Sequence, residues 1–91
     1  MNTITKEKLD KYFLVTTQAF EKARSSSNRT NISRDDFLDM ISRYIADAKH
    51  FFSKNDYVNS FACLNYAHGW LDAGARIGLF DVHDSNLFTV D

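Results

Sequence analysis

A chain of 91 residues without an internal repeat has room for one domain with a modest core. Hydrophobic residues at 44% and aromatic residues at 14% are too abundant for a disordered chain, and charged residues at 25% leave a net charge of −1. That balance supplies no broad positive field and argues against nucleic-acid and anionic-membrane partners; the longest uncharged run, from Tyr57 to Leu71, is too short and too polar to cross a bilayer.

The absence of proline, the presence of only three glycines and the recurrence of apolar residues at helical spacing predict an all-α chain, a small antiparallel up-down-up three-helix bundle. The first helix is expected at about residues 6–24, starting after Thr5 and burying Leu9, Tyr12, Phe13, Thr16, Ala19, Phe20 and Ala23 on one arc. The small polar residues from Ser25 to Asn31 then predict a mobile connection.

The second helix is expected at about residues 34–53, with Ser33 as N-cap and Asp36 completing a variant of the capping box. Its apolar stripe comprises Phe37, Met40, Ile41, Tyr44, Ile45, Ala48, Phe51 and Phe52, opposite Asp36, Asp39, Arg43, Asp47 and His50. Asp56 caps a third helix expected at about residues 57–77, ending on Gly78 in the left-handed C′ position. Segments of matched length with short links pack side by side. The tail, residues 79–91, offers Leu87, Phe88 and Val90 to a groove of the bundle or to a partner, and disorder is an equal alternative.

On the third helix Ser60, Ala67 and Gly74 form a heptad-spaced row of small residues. Leu64, Leu71, Phe61, Tyr57 and Ala75 flank that row on one side, and Cys63, Trp70, Ile77, Tyr66 and Ala73 on the other, an apolar arc wider than a single core needs. Either both flanks pack against neighbouring helices, or Tyr66, Trp70, Ala73 and Ile77 stay partly exposed as a self-association or partner surface.

The run Lys54-Asn55-Asp56-Tyr57-Val58-Asn59-Ser60-Phe61-Ala62-Cys63-Leu64-Asn65-Tyr66-Ala67-His68-Gly69-Trp70-Leu71-Asp72-Ala73-Gly74-Ala75-Arg76-Ile77-Gly78-Leu79-Phe80 resembles the archaeal family catalogued as domain of unknown function 357. The resemblance covers roughly Ser33 to Phe80, with Tyr66 to Gly74 as its signature. It implies an archaeal source and a small helical-bundle fold with no established activity, so no catalytic residue is carried over. Asn55-Asp56-Tyr57 with Ser60 and Ala67 also resembles part of a tetratricopeptide unit, but such solenoids need about three copies and only one is visible.

Two constellations could carry chemistry. Asn65, His68 and Asp72 lie at i, i+3 and i+4 spacings, so Asp72 could orient His68 as a general base or as part of a metal site; a boundary histidine bonded to a neighbouring helix is the simpler alternative. Arg43 and His50 have a spacing that resembles the HEPN ribonucleases, but Asp36, Asp39 and Asp47 around them would repel a phosphate backbone. Cys63, the only cysteine, reads as a small hydrophobe in a reducing cytoplasm, and the N-terminus lacks the apolar core of an export signal. No cofactor, metal site or catalytic residue is assigned. The leading expectation is a non-catalytic scaffold or protein-interaction module, a homo-oligomer or the partner of another protein; the alternative is a small nuclease or hydrolase using Arg43/His50 or His68/Asp72.

Overall fold

The helix boundaries follow from how the terminal peptide groups are satisfied. In the computed structural model, which describes residues 3–89, the chain forms α1 (Lys6–Ser25), α2 (Asp35–Ser53) and α3 (Tyr57–Arg76), running up, down and up with no strand among the described residues. Thr5 starts α1 by accepting the Lys8 amide on its hydroxyl at 3.2 Å, and Asp56 starts α3 by accepting the Asn59 amide at 3.2 Å.

The start of α2 differs from expectation. Arg34, not Ser33, occupies the N-cap, its side chain makes no cap bond there, and Ser33 accepts only the Asp35 amide at 3.3 Å. The reason lies in α1: the Arg34 guanidinium reaches back to donate to the carbonyls of Ser26 at 2.6 Å and Ala23 at 3.4 Å, capping the negative end of that helix. Asp35 and Asp36 still occupy the first turn of α2, where the helix dipole favours them.

Both α2 and α3 end in the same paired hydrogen-bond motif. At the end of α2 the Asn55 amide donates to Phe52 and the Asp56 amide to Phe51, with Asn55 left-handed at φ 60°. At the end of α3 the Gly78 amide donates to Ala75 and the Leu79 amide to Gly74, with Gly78 at φ 88°. The first motif makes Asp56 both the last residue of one stop signal and the cap of the next helix, which keeps the α2–α3 hairpin to three residues.

That short link holds α3 along α2, where it packs most extensively; it also packs on α1, and α1 meets α2 least. Ser60, Ala67 and Gly74 are all buried, and the Ser60 hydroxyl donates to the Ala48 carbonyl of α2 at 2.7 Å. Leu9, Ala19 and Ala23 of α1, Ile41, Ile45 and Ala48 of α2, and Leu64 and Leu71 of α3 are buried around that row. Met40, expected in the stripe, is 39% exposed, while the neighbouring Leu38 packs on the core. No helix is long and apolar enough to cross a membrane among the described residues.

The 26–34 connection is held by defined bonds rather than free. Asn28 Oδ1 accepts both the amide and the hydroxyl of Thr30, the Arg29 amide donates to Gly78, and the Asp81 amide donates to Ser27. Beyond α3 the chain folds back: Leu79, Phe80, Val82, Leu87 and Phe88 are buried, so the described tail completes the core; Val90 lies outside the described residues. Asp84 shapes the return by accepting the Leu87 and Phe88 amides on its carbonyl, and its carboxylate lies 3.4 Å from Lys22 on α1.

The two helical glycines predict opposite outcomes. A Cβ on Gly74 would sit 2.7 Å from Cδ2 of the buried Phe80 ring and nearer still to Cε2, whereas one on Gly69 would meet nothing within 4 Å. Gly74→Ala should therefore destabilise by about 1–3 kcal/mol despite the better helix propensity of alanine, and Gly69→Ala should stabilise the dilute protein by roughly 0.5–1 kcal/mol. Urea unfolding followed by circular dichroism checks both signs.

Candidate functional site

His68 is half-buried between α1 and the returning tail. Its Nε2 lies 2.6 Å from the Leu87 carbonyl, which can only accept, so Nε2 carries the proton of the neutral ring. Nδ1 then accepts from the Thr16 hydroxyl at 3.1 Å. Both nitrogens of the neutral imidazole are thus committed, one to a helix neighbour and one to the tail.

Asp72, one turn along α3, lies 4.0 Å from His68 Nε2, beyond hydrogen-bond range, and accepts the Thr89 amide at 3.0 Å. Arg76 donates to the Thr89 carbonyl at 2.6 Å. His68, Asp72 and Arg76 form a ladder that holds the backbone of residues 87–89. Asn65 stays exposed at the mouth of a cleft between α1 and α3 whose walls include Tyr12, Val15, Leu64 and His68. The spacing brought the expected trio to one side of α3, but its bonds run to the tail and to α1, not to one another.

Arg43 and His50 lie on the exposed side of α2, away from the core. Arg43 Nε donates to Asp39 at 2.9 Å, and the His50 ring meets the edge of Phe51 at 5.5 Å. No group of three or more histidine, cysteine, aspartate or glutamate side chains is placed to hold a metal ion among the described residues. Cys63 is half-buried; burial first, and the nearby Asp47 carboxylate second, push its thiol above the ordinary value.

The outward side of α3 is the unusual surface. Val58 is 64% exposed, Tyr66 63% and Ile77 55%, and Ala62, Asn65, Gly69 and Ala73 are exposed between them. No charged residue occurs on this helix from Tyr57 to Leu71, whereas the outer sides of α1 and α2 carry Glu7, Lys11, Asp39 and Lys49 among others. Tyr66 stacks on Tyr44 of α2, with ring centroids 5.2 Å apart, and Trp70 meets Phe37 edge-on at 4.8 Å. Asn65, Tyr66, Gly69, Trp70 and Ala73 line a shallow apolar depression there.

Of the four surface candidates named from sequence, Tyr66, Ala73 and Ile77 are exposed, and Trp70 is half-buried because Phe37 covers its edge. Val58, Ala62 and Gly69 were missed. Only part of their signal lay in the sequence: the side carries no charge from Tyr57 to Leu71, but the pattern alone does not say which half of the apolar circumference faces outward.

A family model described as "Protein of unknown function (DUF357)" matches residues 11–80, from the first turns of α1 to the residues just after α3. The match extends further toward the N-terminus than the Ser33 boundary that the sequence resemblance suggested. No curated protein and no solved structure matches the chain.

Two outcomes follow from this chemistry. His68→Ala leaves the buried Leu87 carbonyl without its donor, a loss of about 1–3 kcal/mol accompanied by faster amide exchange at Leu87 and Phe88. The Cys63 thiol should react with iodoacetamide more slowly than free cysteine at pH 8, and Asp47→Asn should speed it, because removing a negative neighbour favours the thiolate.

Proposed function

The chain belongs to the protein family of unknown function DUF357, and from that premise we propose that it is a non-catalytic helical interaction module whose docking face is the outward side of α3. One observation carries the reading: α3 has no charged residue on any side between Tyr57 and Leu71. A helix without charge on any side is normally enclosed on all sides, and α1, α2 and the returning tail enclose only part of this one. A further helix laid over Tyr66, Gly69, Ala73 and Ile77 would complete the enclosure.

The chemistry of the face suits that use. Exposed Val58, Tyr66 and Ile77 provide apolar anchors, and the small residues between them allow a helix to approach closely. Trp70 and Tyr44 stiffen the face from beneath through their ring contacts. The hydrolytic alternative has less behind it: Arg43 and His50 are solvated with Asp39 engaging the arginine, and His68 and Asp72 are occupied in holding the tail.

The test is the composition of the native complex. Tagged full-length chain isolated from its own cells should carry a stoichiometric helical partner, and Tyr66→Asp or Ala73→Glu should release it by at least tenfold in retained amount without altering the helical spectrum. Wild-type chain recovered only as a bare species of 10.5 kDa would overturn the reading.

A further inference from the structure

Resting on that reading, the identity of the occupant can be argued from the order of large and small residues along the exposed side of α3. We propose that the occupant is a second copy of this chain, its α3 lying antiparallel across the first, with a two-fold axis at the level between Ala67 and His68.

An antiparallel pair about that point sets each residue against one equally far from the centre on the other helix. Val58 then faces the partner's Ile77, Ala62 faces the partner's Ala73, and Tyr66 faces the partner's Gly69. The two largest exposed aliphatic groups meet at the ends, 64% and 55% exposed in the single chain. The alanines meet where the helices must come closest, and each tyrosine ring covers a glycine on which an added Cβ would meet nothing within 4 Å. Aliphatic groups meet at the two ends, methyl groups meet at the closest approach, and a ring meets open space at Tyr66 and Gly69.

Two other arrangements lose the pairing of Tyr66 with Gly69. A parallel pair sets Tyr66 against the partner's Tyr66 and Gly69 against the partner's Gly69, a collision beside a void. Moving the axis to Tyr66 opposes the two rings and sets Ala62 against the partner's Trp70.

Charge agrees with the antiparallel order. Arg76, exposed near the C-terminus of α3, comes alongside Asn59 and one turn from Asp56 at the N-terminus of the partner's helix, where a parallel pair would oppose two arginines. A two-fold contact sets one surface against itself, so charge near the axis meets its own copy and repels it. The uncharged stretch from Tyr57 to Leu71 removes that repulsion, whereas a partner of different sequence would not require neutrality.

The experiment uses the full chain carrying Cys63→Ser, with Ala62→Cys in one preparation and Ala73→Cys in another. After mild oxidation, an equal mixture should give on the order of tenfold more disulfide-linked dimer than either preparation alone. Across an antiparallel pair the two new thiols face each other, while identical positions lie roughly 16 Å apart along the axis, too far to bridge. Cross-linking of Ala62→Cys with itself at the level of the mixture would overturn the antiparallel register. Sedimentation equilibrium of the unmodified wild type, which does not depend on the variants folding, should show twice the 10.5 kDa chain mass. A monomer at millimolar concentration overturns the second copy as occupant. If Tyr66→Asp still releases a different protein from the native complex, the inference fails and the interaction-module reading stands; if the native chain is also bare, both fail.

Discussion

The position of α3 depends on atoms that are missing from its central row. Ser60, Ala67 and Gly74 present a hydroxymethyl, a methyl and a hydrogen toward the core, so the helix backbone lies close to its neighbours along its whole length. At one end the Ser60 hydroxyl uses the closeness to reach the Ala48 carbonyl; at the other, the Gly74 backbone accommodates the Phe80 ring in van der Waals contact. Because Phe80 can occupy that space, the chain after α3 turns back onto the bundle. The buried tail, the ladder from His68 to Arg76 and the tie between the 26–34 connection and Gly78 all require that return.

The return changes what the polar residues of α3 are for. A histidine four residues before an aspartate on one helix side suggests acid–base chemistry, but the tail brings the Leu87 carbonyl and the Thr89 amide to those side chains, and the backbone of a buried residue such as Leu87 must be satisfied. The imidazole and carboxylate therefore hold backbone in place. The proposed docking face is the opposite side of α3, and its defining property is the absence of charge over four turns.

Much of the architecture was legible in the sequence because its causes are local. The bonds by which Thr5 and Asp56 start helices and by which Asp56 and Gly78 end them span no more than five positions, and apolar periodicity placed Leu9, Ile41, Ile45, Leu64 and Leu71 inside. The misreadings arose where a distant group competed. Ser33 lost the cap position because Arg34 was drawn to the end of α1, and the polar 26–34 stretch is ordered because Gly78 and Asp81 supply backbone partners. On the candidate face Tyr66, Ala73 and Ile77 could be named from the helical wheel, but Val58, Ala62 and Gly69 join them only once the inward side of α3 is known.

The sequence by itself determined three helices, the caps that start the first and third, the small-residue row and the neutrality of α3, since each depends on propensity, periodicity or composition within a few turns. The tertiary structure alone decided that the described tail is core, that His68 bonds to residues 52 and 19 positions away, and which half of the apolar circumference of α3 faces water. The physical reason is the range of the forces involved: helix signals act between groups the chain keeps adjacent, whereas burial and the partners of a polar side chain depend on which distant segments fill the remaining space.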